Sequence, residues 1–388
     1  NGRWNYKQRL TGNSSPQSLD MFGSSVDVYE NVIVVGEPNF DGGSPNRTNR
    51  GRVYVFEKFT GSWGLTTTLE HAGAKDNDYL GTSVAIYGST IVAGAPAVIH
   101  HISNKAGSVF VFERSSTTAN SWAQVQEISG SGFQRSNSYF GKSVDIDENG
   151  LIIGANAQTG GGKENAYIFE KEATPTGSIW VEKAQLVPSI NSVAGFASGI
   201  RFGESVSIYD NVAVVGANDT NNGTGSVYVF VKEGDSWPTT ETQKIDPPPF
   251  EFVGADSDFG ISVSVYDNTI AIGAMHDSNN SQDKAGAAFI YEKKGNIWSL
   301  SKKIESPNPE PEGEFGNYVS LYDDRIIVGS FGANVPTSTT GNEGRAYLFK
   351  KMGKSWADVN ANYSGINLSI VDGVDKDTNT LAKITDAT

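Results

Sequence analysis

The fold that this sequence predicts is all-β, a seven-bladed β-propeller of four-stranded antiparallel blades. A 17-residue segment occurs six times without a gap, beginning at residues 22, 80, 140, 202, 259 and 315. A motif with alternating aromatic residues follows each copy, and seven tryptophans recur at intervals of 57 to 61 residues. Repeats of this length that each supply four antiparallel strands are typical of propellers.

Each 17-residue segment predicts two strands joined by a tight turn. In the copy that begins at Phe202, Val206 and Ile208 alternate with small polar residues, which is the period-two pattern of a strand. The Asp-Asn pair at 210–211 tolerates the positive φ that a two-residue hairpin turn requires. The run 212–215 is continuously apolar, so the second strand is predicted to be buried on both faces.

A third and a fourth strand complete each predicted blade. The third contains alternating aromatics such as Tyr228 and Phe230, and the fourth begins at a tryptophan such as Trp237. Because the chain opens with a fourth-strand unit and closes with degenerate strands, we expect its two ends to form a seventh blade together and so to remove free sheet edges. The predicted single domain spans residues 1–388, with blades at about 19–70, 78–128, 138–187, 200–245, 257–304, 313–358, and 363–388 plus 1–10.

Composition narrows the range of partners. The formal net charge of −14 disfavours binding to nucleic acid and to anionic lipid, because phosphate groups would be repelled. There is no cysteine, and no apolar stretch is long enough to cross a membrane. The chain begins at Asn1 rather than at a methionine, which we interpret as removal of a signal peptide. We therefore expect a secreted protein at the cell surface.

The repeated segments resemble FG-GAP repeats. Five copies open with Phe-Gly, and the second strand of another ends in Gly-Ala-Pro at 94–96. Such repeats form the propeller of integrin α-chain heads and of many bacterial and algal surface proteins. The short turn after the Phe-Gly strand makes this chain most similar to the non-integrin variety. The resemblance covers nearly the whole chain, and it implies extracellular adhesion, ligand binding or surface structure rather than catalysis.

Calcium is the one cofactor that the resemblance implies. Integrin-like propellers carry Asp-x-Asp-x-Asp-Gly loops between the first and second strands, where alternate residues point oxygens at one cation. The corresponding turns of the first six units are too short to surround an ion. Asp375, Asp377 and Asn379 match the alternation in the seventh unit, but Thr380 replaces the glycine and Lys383 the last acidic ligand. Two interpretations stay open, a weak calcium site and a solvated acidic turn.

Catalytic signatures are absent from the sequence. The four histidines, at 71, 100, 101 and 276, have no metal-binding spacing and are predicted to be surface residues. Asp27 and Asp145 lie on first strands, where they would point toward the central channel or the neighbouring blade. A propeller hydrolase would need such residues to converge, so it stays the alternative from another functional class. The regular phase of the tryptophans favours a structural role over sugar stacking.

Long loops at one end of the predicted propeller are the expected binding surface. They connect the second strand to the third and the fourth strand to the next blade, and irregular loops on a rigid scaffold are where binding usually occurs. The candidate contact residues are Asn39, Phe40, Asp41, His100, His101, Phe196, Phe250, Phe252, His276 and Asp277. The candidate glycosylation sites are Asn46, Asn218, Asn222 and Asn279. We expect a binding or assembly module whose partner is a protein, a glycan in a lectin-like variant, or a second copy.

Overall fold

The computed structural model is an all-β propeller. It describes residues 7–12, 20–41, 48–99, 106–115, 121–130, 138–156, 164–175, 177–189, 199–249, 256–278, 283–334, 344–353, 355–358, 369–371 and 383–385. Within these residues, the chain forms six antiparallel blades of four strands and one short helix, α1 (Thr220–Gly223). No helix in this described part is long and apolar enough to cross a membrane.

Each blade pairs its four strands in the order of the sequence. Blade one contains β1 (Ser25–Tyr29), β2 (Val32–Glu37), β3 (Arg52–Phe59) and β4 (Ser62–Leu69). Blade two contains β5 (Ser83–Tyr87), β6 (Thr90–Ala95), β7 (Ser108–Arg114) and β8 (Trp122–Ile128). Blade three contains β9 (Phe140–Ile146), β10 (Gly150–Ala155), β11 (Asn165–Thr174) and β12 (Gly177–Leu186).

The second half of the propeller repeats this arrangement. Blade four contains β13 (Phe202–Tyr209), β14 (Val212–Ala217), β15 (Ser226–Val231) and β16 (Gln243–Ile245). Blade five contains β17 (Phe259–Tyr266), β18 (Thr269–Ala274), β19 (Ala287–Lys294) and β20 (Ile297–Glu305). Blade six contains β21 (Phe315–Tyr322), β22 (Arg325–Ser330), β23 (Arg345–Met352) and β24 (Ser355–Asp358), and two short strands follow it, β25 (Ser369–Val371) and β26 (Lys383–Thr385).

The prediction of a seventh blade is wrong, because the described residues form six. β25 pairs with β23 and β26 pairs with β25, so both short strands extend the sixth sheet instead of starting a new one. The short β24 leaves room for this, since it pairs with β23 only from Phe349 to Met352. The beginning of β23 would otherwise keep an unpaired edge, and Ser369 pairs there with Arg345.

Residues 7–12 lie against blade one without forming a strand. The Gln8 side chain donates to the backbone carbonyl of Trp63 at 2.6 Å and accepts from its backbone N–H at 2.7 Å. Gln126 makes the same pair of bonds to Trp180 in the following blade. Residues 7–12 therefore cover the outer strand of blade one in the way that a fourth strand covers the next blade.

Two blade faces are exposed within the described part of the chain. On β1, Val26 and Val28 are 64% and 58% exposed, on the face opposite the one that packs against blade two. On blade six, Tyr318 is 67% exposed, and Ile327 on the paired strand is 46% exposed. At the five interfaces between consecutive blades, by contrast, the equivalent side chains are buried in apolar clusters that both blades share.

The hairpin prediction is confirmed, and so is the core prediction except on β22, where Arg325 and Ile327 are exposed. The first residue of the tight turn between the first and second strands has a positive φ of 50° to 59° in five blades, at Glu30, Gly88, Asp210, Asp267 and Asp323. The second strands β6, β10 and β14 are buried along their whole length. The phenylalanine that opens a blade packs edge-on against the two third-strand aromatics of the same blade, as Phe202 does against Tyr228 at 5.3 Å and Phe230 at 6.3 Å.

A contact between two glycines joins each described pair of neighbouring blades. A Cβ on Gly216, near the end of β14, would overlap the carbonyl oxygen of Gly260, which follows the opening phenylalanine of blade five. Gly260 itself has a φ of +92°, which a residue with a side chain rarely adopts. The same overlap occurs at the other four interfaces, for Gly36, Gly94, Gly154 and Gly273. The two glycine positions of the repeat therefore allow one blade to approach the next.

A serine hydrogen bond accompanies each glycine contact. Ser205 Oγ donates to the carbonyl oxygen of Gly260 at 2.9 Å, and Ser25, Ser83, Ser143 and Ser262 make the equivalent bond in their blades. In blade six the serine position holds Tyr318, and among the described residues the atoms nearest to a Cβ on Gly329, at the glycine position, all belong to Tyr318 of the same blade. The exposed face of blade six therefore differs in sequence from the five buried ones.

Candidate functional site

The long loops lie together at one end of the propeller, which we call the long-loop rim. In a four-stranded antiparallel blade, the second-to-third loop and the loop that leads into the next blade are at the same end. Between blades one and two these loops are hydrogen-bonded to each other, because the backbone N–H groups of Asn77 and Tyr79 donate to the carbonyls of Thr48 and Asn49 at 2.8 and 3.0 Å. Leu80 N–H continues the series to Arg50 O at 3.1 Å.

The same loop pairing recurs on the opposite side of the rim. Between blades four and five, Asp258 N–H donates to Gly223 O at 3.0 Å. Between blades five and six, the N–H groups of Glu312 and Glu314 donate to the carbonyls of Asp283 and Lys284 at 2.9 and 3.1 Å. The rim is thus held in place by backbone hydrogen bonds as well as by the blades below it.

His276 is part of a polar network on this rim that connects three blades. Its Nδ1 lies 2.6 Å from Asp258 Oδ2, and Asp258 Oδ1 accepts a hydrogen bond from Asn218 Nδ2 at 2.8 Å. Glu314 Oε1, at the start of blade six, is 3.9 Å from His276 Nε2. The hydrogen bond to Asp258 raises the pKa of His276, against the opposing effect of its burial. The side chain therefore carries more positive charge near neutral pH than an ordinary histidine.

The other described candidates on the rim are held by neighbours. Asp277 is fully buried and pairs with Lys303 Nζ at 2.7 Å. Phe40 is buried beneath the guanidinium of Arg52, which lies 3.4 Å from its ring centroid. Asp41 Oδ1 accepts the backbone N–H of Asn49 at 2.9 Å. These three residues therefore contact other parts of the protein and stabilise the conformation of the loops.

The remaining candidates have different positions. Asn39 hydrogen-bonds through its backbone to Asp20 O at 3.2 Å. Asn218 is fully buried, so a glycan could be attached only if the side chain left its bond to Asp258. Asn222 lies in α1. The candidates outside the described residues are His100, His101, Phe196, Phe250, Phe252, Asn46, Asn279, Asp375, Asp377 and Asn379.

His71 is not the surface residue that the sequence predicted. It is 7% exposed, its ring stacks on Phe110 at 4.1 Å, and its Nε2 lies 3.0 Å from Asp78 Oδ2. Asp78 also accepts the backbone N–H of Lys75 at 2.5 Å. The pair fixes the loop between blades one and two. The sequence does contain one indication of this contact, because His71 and Asp78 are close in sequence and shortly precede the first strand of blade two.

Trp237 connects two neighbouring blades, which agrees with the structural role predicted for the tryptophans. Trp237 is 8% exposed, and its Nε1 donates to Glu170 of the preceding blade at 2.8 Å. Lys232 Nζ donates to the same carboxylate at 2.7 Å and lies 6.0 Å from the Trp237 ring centroid. Burial acts to raise the pKa of Glu170, but the hydrogen bonds from Lys232 and Trp237 outweigh it and lower that pKa.

Equivalent carboxylate–cation pairs recur at other interfaces. They are Glu57 with Arg114, Glu113 with Lys171, and Glu292 with Lys351. Blade four has Val231 at the carboxylate position, so the interface between blades four and five lacks the equivalent carboxylate–cation pair. The rings of Trp122, Trp180, Trp237, Trp298 and Trp356 are buried, so these five are not available as platforms for a sugar.

Removing the carboxylate from one of these interfaces will measure its contribution. We expect Glu170→Ala to lower the free energy of unfolding by about 1 to 2 kcal/mol, because Lys232 and Trp237 both lose their acceptor. Glu172→Ala is the matched control, since Glu172 pairs within the same blade with the exposed Lys183. Urea unfolding followed by tryptophan fluorescence compares the two variants, and equal losses would contradict a special role for the interface carboxylate.

Asp27 and Asp145 each hydrogen-bond to the neighbouring blade. Asp27 accepts the backbone N–H of Ile86 in blade two, and Asp145 accepts that of Ile208 in blade four. Among the described residues, no group of three or more histidine, aspartate and glutamate side chains is placed to hold a metal ion.

Comparison with protein families agrees with this architecture. The FG-GAP repeat model matches residues 4–56, 63–112, 122–169, 180–230 and 253–291, which is more than half of the chain. Each of the first four matched units begins at a tryptophan and ends in a third strand, so the units 63–112, 122–169 and 180–230 each span one interface between blades. No curated protein sequence matches the chain. The chain belongs to the FG-GAP repeat family.

Proposed function

We propose that this protein is an extracellular binding or assembly module and that the long-loop rim is its contact surface. The observation that supports this most directly is the backbone hydrogen bonding between successive loops of the rim. Loops that are already ordered lose little conformational entropy when a partner binds, so more of the contact energy appears as affinity. An FG-GAP propeller is in general a binding or structural module.

The loop ends offer polar groups in defined positions. Between blades one and two, Asp76 and Asn77 are exposed beside the buried pair of His71 and Asp78. Between blades five and six, Glu312 is exposed, and its backbone N–H is bonded to Asp283. A surface that is polar, ordered and spread over several blades suits a protein surface or a second copy as its partner.

Two charge-reversal variants test this proposal, one on the long-loop rim and one, as a control, at the short turns of the opposite end. The rim variant carries Asp76→Lys and Glu312→Lys, both at exposed loop ends. The control variant carries Glu30→Lys and Glu148→Lys, which are exposed in the short turns at the opposite end. Sedimentation velocity measures self-association of each variant, a printed array of recombinant cell-surface proteins measures protein binding, and a printed glycan array measures carbohydrate binding.

We expect the wild-type chain to self-associate or to bind one of the printed proteins, and the rim variant to lose that activity while the control variant keeps it. Binding that is lost only in the control variant would place the contact surface at the short turns and would refute the proposal. Binding to the glycan array that survives in the rim variant would also refute it. Circular dichroism confirms that both variants keep the wild-type fold.

A further inference from the structure

One position on the first strand of each blade faces the first strand of the next blade. In blade four it is Ser207, whose Oγ accepts the backbone N–H of Val265 at 3.1 Å. In blade five it is Ser264, whose Oγ accepts the N–H of Leu321 at 3.0 Å. A side-chain oxygen at this position therefore satisfies a backbone donor of the neighbouring blade. We call it the bridging position.

Blades one and three have a carboxyl group at the bridging position instead of a hydroxyl group. Asp27 Oδ2 accepts the N–H of Ile86 at 2.7 Å, and Asp145 Oδ2 accepts the N–H of Ile208 at 2.8 Å. Asp145 Oδ2 also accepts the hydroxyl of Ser207 at 2.8 Å. The interfaces between blades one and two and between blades three and four thus depend on an ionisable group, whereas the next two interfaces depend on serine.

The surroundings of both carboxyl groups favour the neutral form. Burial raises the pKa of Asp27 to about 6, against the lowering effect of the hydrogen bonds from Ile86 and Val28. Burial raises the pKa of Asp145 to about 7, against the bond from Ile208, and the charge of Asp27 adds to the increase. Blade two, which lies between them, has Ala85 at the bridging position. The charged group that acts on Asp145 is thus another carboxylate rather than a compensating cation.

We propose that Asp27 and Asp145 make two interfaces of the propeller sensitive to pH, so that these interfaces weaken as the carboxyl groups ionise. Between about pH 4 and pH 7 the folded state holds protons that the unfolded chain has released, because both pKa values are raised on folding. The free energy of unfolding contributed by this pair is therefore greatest in acid, falls as the pH rises, and becomes constant above about pH 7. The interface between blades five and six, where Ser264 accepts the N–H of Leu321, has no carboxyl group at its bridging position and does not change with pH.

Replacing each aspartate with the serine of the other blades tests the proposal. Asp145→Ser and Asp27→Ser keep an oxygen at the bridging position and remove the titration. Urea unfolding at pH 5 and at pH 8 gives the unfolding constant of each protein. We expect the increase in that constant from pH 5 to pH 8 to be smaller than in the wild type by about a hundredfold for Asp145→Ser and about tenfold for Asp27→Ser.

Two further measurements keep the test specific. Asp267→Ser removes an exposed turn carboxylate, so it should keep the full wild-type difference between the two pH values. Other buried carboxyls such as Glu37, whose pKa burial also raises to about 7, contribute equally to all of these proteins and cancel in the comparison. In the wild type, hydrogen exchange should show that the protection factor of the Ile208 amide decreases from pH 5 to pH 8 relative to that of Leu321, whose acceptor Ser264 is not bonded to Asp145.

The proposal predicts that the unfolding constant depends less on pH in the two serine variants than in the wild type. It also predicts that the Ile208 amide loses protection from hydrogen exchange locally as the pH rises. If both serine variants kept the wild-type difference between pH 5 and pH 8, the carboxyl groups would not control these interfaces. If the amides of Ile208 and Leu321 changed protection in parallel, the effect would be global. Either result would overturn the inference, and the exchange measurement needs no variant that has to fold.

Discussion

Replacement of Gly216 by alanine will destabilise the protein by about 3 kcal/mol or more. The added Cβ would overlap the carbonyl oxygen of Gly260 and Ser205 Oγ, and both groups are fixed. The carbonyl belongs to the backbone of the next blade, so it cannot move away without separating the two sheets. Thermal and urea unfolding of Gly216→Ala should therefore show a much lower midpoint, or the variant should fail to fold.

Gly329 is the matched control for this substitution. It occupies the same position in blade six, where the nearest atom to an added Cβ is the Cβ of Tyr318 at 3.6 Å, an ordinary contact. We expect Gly329→Ala to unfold within about 1 kcal/mol of the wild type, because alanine also restricts the unfolded chain. If Gly329→Ala were as damaging as Gly216→Ala, another backbone would have to cover the face of blade six in solution.

Sequence alone predicts the inside of a blade well. The extent of β13, the positive φ at Asp210 and the continuous burial of β14 all follow from a few adjacent residues. These features depend on contacts within a hairpin, where the local pattern contains the necessary information. The repetition of the pattern then predicts a propeller, because each sheet must bury its faces against a similar sheet.

The contacts between blades could be predicted less well. Ser205 and Gly260 are 55 positions apart, and nothing in the local pattern of either one indicates the other. The repeat shows that these residue types recur, but it does not show which pairs touch. The prediction of the number of blades was wrong for a related reason. β25 and β26 are short and degenerate, so sequence could not distinguish a new sheet from an extension of the sixth.

Prediction from sequence was limited in the same way on the long-loop rim. Sequence identified long loops at one end but treated His71 as a surface residue, although the ring is stacked on Phe110 of the next blade. Likewise, Asn218 was selected for its sequon, while the fold uses its amide to hold Asp258. In both cases a polar side chain that looks accessible in a loop is engaged by a neighbouring blade. Functional residues on this rim are therefore best sought among exposed side chains such as Asp76 and Glu312.

Truncation of the opening phenylalanine of blade five will have the second largest effect. Phe259 is fully buried, lies 5.4 Å from Phe289 edge-on, and packs in one cluster with Val214 and Val227 of blade four. Phe259→Ala would leave a cavity where two blades meet, so we expect it to lower the free energy of unfolding by about 3 to 5 kcal/mol. The change in urea midpoint at constant slope measures this loss.

The equivalent residue of blade one separates packing within a blade from packing between blades. Phe22 also packs edge-on against third-strand aromatics, with Tyr54 at 5.0 Å, but it is only partly buried and its cluster contains residues of blade one and Leu10. We expect Phe22→Ala to cost less than half as much as Phe259→Ala, because little of another blade's surface loses a contact. Equal losses would mean that the opening phenylalanine acts mainly within its own blade, and the interface between blades would then depend on the glycine and serine contacts alone.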